Sequence, residues 1–340
     1  MDHFCGRKDE IEQVYSRIRT VLTGNSKETD IVPQSTIIAG IKGMGRTSLL
    51  NYIYHKKNDY ITDPKKFIFI FINPAEENIN SPQDFFESLV GRLGKNVDGK
   101  TSHEENLDAY ENLKNILSKL EEVGYKFVVF IDEFDYFIDK EFDESFYSML
   151  RSLAPHHLAY VIATKRELKD YGTISSSPFF NIFAQIQLGL LEEKHIKESI
   201  EKCCNEKLSE EDIDFLLDIG GRYPLFIQIA CSIFLEHKTK KGQFSDLDYK
   251  KIKKDVLNKS EKCFKEVFDD LSKKEKEVLV KIANNKHILE RDNYILEDLV
   301  RKGYVIKEEK SFLFRKNIIY NLFSSSFKEF ILNHGLNTKN

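Results

Sequence analysis

Residues 40–47, with the sequence GIKGMGRT, have the residue types and the spacing of a phosphate-binding loop. They match the P-loop template G-x-x-x-x-G-K-[ST] except that Arg46 stands where the template has lysine. The glycines let the backbone turn tightly, so that its N–H groups converge on phosphate oxygens. The hydroxyl of Thr47 is suited to complete the shell of a Mg²⁺ ion. The segment predicts nucleotide binding, and the alternative is a glycine-rich turn without a ligand.

Arg46 is the departure from the template that bears most directly on catalysis. Arginine keeps the positive charge of lysine but is bulkier, planar and forked. It can contact phosphate, but it cannot copy the approach of a compact ammonium group to the β and γ oxygens. We therefore expect nucleotide binding with slowed hydrolysis. The residues predicted to bind the phosphates are Gly40, Gly43, Met44, Gly45, Arg46, Thr47 and Ser48.

An apolar run at 126–131 (KFVVFI) leads directly into two carboxylates, Asp132 and Glu133. After a P-loop this is the Walker B arrangement, in which Asp132 holds Mg²⁺ through water and Glu133 orients or deprotonates the attacking water. The alternative is a strand that ends in a solvated acidic turn, because more carboxylates follow at positions 135, 139, 141, 143 and 144. The P-loop upstream favours the first interpretation.

A further apolar run, at 160–166 (YVIATKR), ends in polar and basic residues. Parallel α/β sheets bind ligands at the carboxyl ends of their strands. We expect Thr164 to hydrogen-bond the attacking water and Arg166 to contact the γ-phosphate, while a basic loop in solvent is the alternative. The predicted catalytic residues are Arg46, Glu133, Thr164 and Arg166, and the predicted Mg²⁺ ligands are Thr47 and Asp132.

The segments that carry and connect these motifs alternate between strand and helix patterns. Short apolar runs predict strands at 35–39, 66–72, 127–131, 159–163 and 184–188. Amphipathic spacing predicts intervening helices at 46–55, 84–93, 107–122 and 144–153. This alternation predicts an α/β domain with a parallel sheet covered on both faces.

The second half of the chain shows mainly helical patterns. Four helices are predicted at 192–204, 209–219, 223–236 and 246–257. They are followed by helices at 272–283 and 295–302, short strands at 304–307 and 312–315 around a turn at 308–311, and a last helix at 324–332. That final order is typical of a winged helix. The predicted domains are a P-loop ATPase core at 1–190, a helical lid at 191–258 and a winged-helix domain at 259–340.

Composition narrows the function classes. The 340-residue chain has a net charge of −4 and a pI near 6.2. The chain as a whole therefore lacks the excess of positive charge that is typical of nucleic-acid-binding proteins. Its apolar runs are shorter than the roughly 18–20 residues that a membrane helix needs, and its start lacks the layout of a signal peptide. Its five cysteines have no C-x-x-C spacing and are interpreted as reduced thiols. We expect a cytoplasmic protein that does not contact membranes.

Further segments carry a resemblance to a known group of proteins. Residues 4–11 (FCGRKDEI) are similar to an N-terminal F-x-G-R-x-x-E-I box, and residues 220–224 (GGRYP) to a G-x-P lid motif. Residues 177–188 and 299–304 are similar to the stretch before the fifth strand and to a winged-helix stretch. With the P-loop and Walker B motifs, these segments identify the chain as resembling the AAA+/STAND group of P-loop ATPases over nearly its whole length.

The resemblance implies a fold, ligands and a mode of action. It implies a three-layer P-loop core with strand order 5-1-4-3-2, a helical lid and a winged helix, with ATP or ADP and Mg²⁺ bound. It places Phe4, Gly6 and Arg7 against the nucleotide base and Pro224 facing the nucleotide. It also implies a switch in which the lid and winged helix close on bound nucleotide. One departure is the lack of any arginine between Arg166 and Arg222, which disfavours a ring ATPase activated by a neighbour's arginine finger.

Three functions remain open from the sequence. The first is a slowly hydrolysing ATPase switch that controls a separate effector or sensor protein, suited to bacterial defence or signalling, with nucleotide-dependent self-association possible. The second is a DNA-associated AAA+ ATPase of the origin-recognition or transposition type, which Glu297 and Asp298 in the expected groove-reading helix disfavour because they repel phosphate. The third is a nucleotide-dependent scaffold that does not hydrolyse ATP because of Arg46.

Overall fold

The computed structural model describes residues 4–22, 30–31, 33–96, 108–205, 207–241, 244–312 and 315–335. The chain packs into two compact units. The sheet unit comprises Arg7–Gly40 and Arg46–Gln187, and the helical unit comprises Met1–Gly6, Ile41–Gly45 and Leu188–Asn340. The P-loop is thus divided in sequence, with its tip at Ile41–Gly45 belonging to the helical unit and Gly40 and Arg46 to the sheet unit.

The sheet unit is built on five parallel strands. They are β1 (Ser35–Ala39), β2 (Phe67–Ile72), β3 (Lys126–Ile131), β4 (Leu158–Thr164) and β5 (Phe183–Gln187). Their order is β2-β3-β4-β1-β5, which confirms the α/β fold class and the strand order implied by the resemblance. The first strand lies between β4 and β5, so the strand order reverses there. In such sheets this reversal opens a crevice at the carboxyl ends of the strands.

The strands and helices of this unit follow from their sequences. Every residue of β1 and of β4 is buried, as expected for strands covered on both faces. The helices are α1 (Lys8–Ile18), α2 (Arg46–His55), α3 (Lys57–Tyr60), α4 (Pro82–Asn96), α5 (Ala109–Glu122), α6 (Asp135–Asp139) and α7 (Glu144–Leu153). Asp108 caps α5 by accepting a hydrogen bond from the backbone N of Glu111. Position 107, where that helix was predicted to begin, lies outside the described residues.

Shorter elements complete the sheet unit. Its 3₁₀ segments are Pro64–Lys66, Leu168–Ser176 and Pro178–Ile182. A two-residue ladder pairs Val21–Leu22 with Asp30–Ile31. Aromatic rings fill much of the core beside the carboxyl half of β3, where Phe134 stacks on Phe179 with ring centroids 5.9 Å apart. This packing supports the backbone that follows β3, where the predicted acidic motif lies.

The helical unit begins with a four-helix group. Its members are α8 (Glu193–Cys204), α9 (Glu210–Gly220), α10 (Pro224–Lys241) and α11 (Asp246–Asp269). They share a core that includes Ile196, Ile227, Phe234 and Ile252. After α11 come α12 (Lys273–Ala283), a 3₁₀ turn at Glu290–Asp292, α13 (Asn293–Lys302), strands β6 (Val305–Phe312) and β7 (Arg315–Leu322), and α14 (Ser325–His334). Ser272 caps α12, as its sequence predicts. Among the described residues no helix is both long and apolar enough to cross a bilayer.

The predicted end of α11 at residue 257 was wrong. The helix continues to Asp269 without a break. Its buried stripe runs on through Val256, Ser260, Phe264 and Val267, at the spacing of one helix face. The predicted domain boundary between 258 and 259 falls inside this helix and stays a prediction.

The predicted turn of the C-terminal hairpin was also wrong. Residues 308–311 lie within β6, and the antiparallel ladder extends from Val305 opposite Leu322 to Phe312 opposite Arg315. Positions 313 and 314 of the second predicted strand lie outside the described residues. Charged residues such as Glu309 are tolerated in mid-strand because they are exposed on this two-stranded ribbon. Two helices followed by a hairpin and a last helix are therefore present, while the winged-helix assignment stays a prediction.

Candidate functional site

The P-loop begins where β1 ends at the carboxyl edge of the sheet. The backbone N of Gly40 donates to the carbonyl O of Thr164 at 3.1 Å, which ties the end of β1 to the end of β4. In the following turn the backbone N of Met44 donates to the carbonyl O of Ile41 at 3.2 Å. Gly43 has a φ of 80°, a backbone angle that residues with a Cβ rarely adopt. The backbone geometry of the loop therefore favours glycine at position 43, where the template allows any residue, and also at the template position Gly45, where φ is 93°.

The helix that follows the loop presents its N-terminus to a ligand. Helix α2 begins at Arg46, and the predicted residues Thr47 and Ser48 occupy its first turn with exposed side chains. Unpaired backbone N–H groups and the helix dipole make such a terminus attractive to anions. The sequence prediction that Thr47 and Ser48 lie at the head of a helix is met in the fold, and their contacts with nucleotide stay a prediction.

The side chain of Arg46 lies against a buried carboxylate. Its Nη1 atom is 3.8 Å from Oδ2 of Asp135, and the two side chains are 11% and 4% exposed. Within the part of the chain that the structure describes, Nη1 is buried and has no hydrogen-bond partner. A buried donor without an acceptor is costly, so Nη1 is suited to an oxygen brought by a ligand.

Asp135 is held in place by neighbours other than Arg46. Its Oδ2 accepts a hydrogen bond from the backbone N of Lys165 at 2.8 Å, and its Oδ1 accepts one from the hydroxyl of Tyr171. Burial raises the pKa of Tyr171, and the charge of Asp135 raises it further, so this phenol stays protonated and donates. The carboxylate is therefore a fixed anion at the carboxyl edge of the sheet.

The acidic pair after β3 lies at the same edge. Asp132 is 2% exposed, and its Oδ1 accepts a hydrogen bond from the backbone N of Glu133 at 3.0 Å. The backbone N of Asp132 donates to Ile72 at 2.9 Å, and that of Phe134 donates to Ala163 at 2.9 Å. These bonds to the ends of both neighbouring strands fix the turn between them. Glu133, inside that turn, has a φ of 48°, an unusual value outside glycine that occurs often at functional sites.

The predicted residues after β4 are close to this motif but use their polar atoms locally. Thr164 is buried, and its hydroxyl donates to the carbonyl O of Arg166 at 2.8 Å. The side chain of Arg166 is exposed, and its backbone N donates to the hydroxyl of Tyr171 at 3.3 Å. Both residues lie at the strand end that the sequence predicted. Their roles with water and γ-phosphate stay predictions.

The tip of the P-loop is held inside the helical unit. The hydroxyl of Tyr223 donates to the carbonyl O of Lys42, and the backbone N of Leu225 donates to the carbonyl O of Gly43 at 3.2 Å. A Cβ added at Gly43 would lie 2.7 Å from side-chain atoms of Leu225. At Gly43 the loop therefore approaches the start of α10 so closely that a residue with a Cβ would not fit without a shift.

Two side chains of the tip add to this attachment. Met44 is fully buried. Its Cε atom lies 3.0 Å from the position that a Cβ would take at Gly303, the residue that follows α13 and caps its carboxyl end. Lys42 forms an ion pair with Glu266 of α11. The hydrogen bond in this pair raises the pKa of Lys42 and lowers the pKa of Glu266.

Pro224, the predicted lid proline, is the first residue of α10, next to the buried Tyr223. The turn before it requires glycine at position 221, where φ is 67° and a Cβ would collide with the carbonyl O of Phe323. The carbonyl O of Arg222 accepts a hydrogen bond from Leu191 at 3.0 Å. The segment is therefore a well-supported helix start beside the loop-binding Tyr223, and the contact of Pro224 with nucleotide stays a prediction.

The N-terminal box is divided between the units. Phe4 is half-buried in the helical unit. A Cβ added at Gly6 in the same unit would lie only 3.1 Å from side-chain atoms of His195. Arg7 belongs to the sheet unit, is buried, and pairs with Glu10 at 2.9 Å. Burial lowers the pKa of Arg7, and Glu10 opposes that shift. Contact of these residues with a base stays a prediction.

The donor set fits a Mg²⁺ ion carried by a nucleotide better than a metal held by protein alone. Among the described residues, no three His, Cys, Asp or Glu side chains converge as a metal site. Mg²⁺ commonly takes one or two protein ligands and completes its shell with phosphate and water. Asp132 and Thr47 would make up such a minimal set, and the unpartnered Nη1 of Arg46 would suit the phosphate; both roles stay predictions.

Sequence reasoning missed several residues that the fold brings to the loop. Asp135 was visible only as one of the carboxylates of an acidic turn, and its two-residue distance from Glu133 was the available signal. Tyr171, Leu225 and Glu266 carry no motif at all. Tyr223 lay inside the lid motif, but its hydroxyl contact with Lys42 has no sequence signature.

Comparisons with known proteins give the family and the fold of the chain. The family model described as Novel STAND NTPase 2 matches residues 33–288. The fold is similar to that of the ORC2 protein of Aeropyrum pernix in its ADPNP–ADP complexes, with a TM-score of 0.58 and 14% identity over 96% of this chain and 93% of that chain. The ADP form of ORC2 gives a TM-score of 0.54 and 13% identity over 89% and 88%.

A DNA complex is also among the similar structures. The ORC1 protein of Aeropyrum pernix in complex with DNA gives a TM-score of 0.50 and 12% identity over 97% of this chain and 93% of that chain. No curated protein matches the sequence. At these identities the structural likeness shows a shared fold and nothing more.

Proposed function

The chain belongs to the novel STAND NTPase 2 family and has the fold of AAA+/STAND-type P-loop ATPases, and from this premise we propose that it is a nucleotide-dependent regulatory switch. It binds ATP or ADP with Mg²⁺, hydrolyses ATP slowly, and uses the bound nucleotide to control a partner protein. The partner is a separate effector or sensor, and self-association of the chain accompanies one nucleotide state.

The attachment of the P-loop tip to the helical unit is the observation that carries the proposal. Tyr223 and Leu225 bind the carbonyl groups of Lys42 and Gly43, while Met44 is buried beside Gly303. A ligand changes a protein's conformation only through contacts that differ between its two states. Because phosphates bind through the backbone of this same loop, occupancy of the loop alters its contacts with the helical unit.

Each predicted site residue has a role in the proposal. Residues 40 and 43–48 hold the phosphates, and Thr47 and Asp132 hold the Mg²⁺ that neutralises phosphate charge. Glu133 orients and deprotonates the attacking water, with Thr164 and Arg166 assisting at the end of β4. The residues proposed to contact the base and the rest of the nucleotide are Phe4, Gly6, Arg7 and Pro224.

The first test asks what nucleotide the protein holds. Nucleotide released from the purified chain is identified by mass spectrometry, and ATP turnover is measured with Mg²⁺. We expect retained ADP and slow turnover. A protein that neither retains nor binds adenine nucleotide would contradict the proposal.

A substitution separates a slow ATPase from a scaffold that never hydrolyses ATP. Glu133→Gln keeps the side-chain shape but removes the base, so turnover should fall about a hundredfold or more while nucleotide binding is kept. Glu141→Gln is the matched control, because Glu141 is an exposed acid that also has a positive φ, 56°. Equal turnover in the wild type and in Glu133→Gln would favour the scaffold.

DNA binding is the second candidate, raised by the likeness of the fold to ORC1 in its DNA complex. The charges of α12, α13 and β6 argue against it, because several of their cations have acidic partners. The pairs are Lys281–Asp292 at 2.9 Å, Lys302–Glu275 at 3.1 Å, Lys302–Asp298 at 2.8 Å, Lys307–Glu297 at 3.0 Å, and Arg301–Asp298. Duplex binding that weakens steeply with salt would restore this candidate.

A further inference from the structure

We propose that Asp135 is a positioning residue for Arg46, holding its guanidinium so that Nη1 donates to a phosphate oxygen of the nucleotide. The proposal rests on the nucleotide binding proposed above and assigns a partner to the arginine that replaces the template lysine. Asp135 itself does not touch the nucleotide and acts through Arg46.

The first step is that Asp135 is in place independently of Arg46. Its two carboxylate oxygens accept hydrogen bonds from the backbone N of Lys165 and from the hydroxyl of Tyr171. Lys165 directly follows β4, so the carboxylate is fixed to the sheet edge. Removing Arg46 would leave this anion where it is.

The second step is that the contact between the two side chains orders Arg46 without using up its donors. The distance of 3.8 Å from Nη1 to Oδ2 is that of an ion pair and is too long for a hydrogen bond. Both side chains are nearly buried, so their attraction is much stronger than it is in water. The guanidinium is therefore held near Asp135, while Nη1 remains available to a second acceptor.

The third step concerns why an arginine suits this place. A guanidinium is a planar fork whose N–H groups point in several directions, so it can face one anion and donate to another. An ammonium is a compact point charge on a flexible four-carbon stem and lacks this geometry. A flexible arginine needs an anchor to act as a defined phosphate ligand, and Asp135 provides one.

A double-mutant cycle tests the proposal on the full-length chain. The four proteins are the wild type, Asp135→Asn, Arg46→Lys and the double variant, and the dissociation constant of a fluorescent ATP analogue is measured for each. The asparagine keeps a carbonyl oxygen that can accept from Lys165 or Tyr171 but loses the charge. We expect Asp135→Asn to weaken binding about tenfold in the wild-type background and about threefold or less in the Arg46→Lys background, a coupling typical of contacting residues.

The controls separate positioning from stability and from the proposed function itself. Asp139→Asn, on the same short helix, removes an exposed carboxylate that lies 3.8 Å from Lys165 Nζ, and it should leave binding unchanged. Thermal unfolding is followed for all variants. Equal weakening in both backgrounds would assign Asp135 a structural role, and tighter binding by Asp135→Asn would mean that Asp135 competes with phosphate; either result overturns the proposal. A wild type that binds no nucleotide would instead refute the proposed function, and this inference with it.

Discussion

The two parts of the P-loop are held by different physical means. At its helical end Arg46 is held by charge, through a buried ion pair with Asp135 in the sheet unit. At its tip, Lys42 and Gly43 are held by hydrogen bonds to their carbonyl groups, and Met44 by burial in the helical unit. Charge holds a side chain whose Nη1 has no hydrogen-bond partner and which we propose to bind a charged ligand. Backbone bonds and close packing hold a turn whose shape must be kept.

The difference predicts different sensitivities for the two parts. The tip should respond to added atoms and lost hydrogen bonds, and little to charge. The Arg46 end should respond to charge removal with the shape kept, as the cycle on Asp135 tests. Three variants, one of the tip and two of residues that contact it, sharpen this contrast, in order of decreasing expected effect.

Gly43→Ala should have the largest effect on the tip. The added Cβ would meet Leu225 at 2.7 Å and would also occupy a backbone with a φ of 80°. Gly45→Ala is the matched control, because its φ is 93° and an added Cβ meets no atom within 4 Å. We expect Gly43→Ala to lower the free energy of unfolding by about 1–3 kcal/mol more than Gly45→Ala, measured by urea denaturation. Equal losses would mean that the close approach to Leu225 does not hold the tip.

Tyr223→Phe should have an intermediate effect. It removes only the hydroxyl that donates to the carbonyl O of Lys42, which corresponds to about 0.5–1.5 kcal/mol of unfolding free energy. Tyr249→Phe is the control, because it removes a hydroxyl bond to Asp212 at 2.7 Å elsewhere in the same unit. Both variants should lose stability, but only Tyr223→Phe should change the ratio of ATP to ADP affinity, measured by calorimetric titration. An unchanged ratio would argue against coupling between the tip and the nucleotide.

Glu266→Gln should have the smallest effect, because its pair with Lys42 is exposed and screened by salt. The hydrogen bond from Lys42 lowers the pKa of Glu266. The contribution of the pair to the free energy of unfolding is therefore fully present at pH values above the ordinary pKa of a glutamate. It is lost as the pH falls through the lowered pKa. At neutral pH and low salt, the thermal unfolding temperatures of the wild type and the variant should differ only slightly. At high salt they should be the same. A large difference that persists in high salt would show that charge also holds the tip.

Much of the fold was predictable because its signals are local. Apolar runs predicted the five strands to within a residue or so at each end, and α2 and α7 have the predicted bounds. The end of α11 was missed because the lid and the following segment were expected to be separate, although the buried stripe through Phe264 continues unbroken. The hairpin turn was missed because exposed charged residues in β6 resemble a loop when their partner strand is not considered.

The candidate site divides in the same way. Glycine spacing, the carboxylates after β3 and the polar end of β4 are properties of short segments, and parallel strands bring their carboxyl ends to one edge of the sheet. The sequence by itself therefore determined where the P-loop, Asp132, Glu133 and Thr164 lie. Only the tertiary structure decided that Arg46 faces Asp135 and that Tyr223 and Leu225 bind the loop tip. Those partners are distant along the chain and follow no period, so their contacts arise from the packing of whole elements rather than from any local pattern.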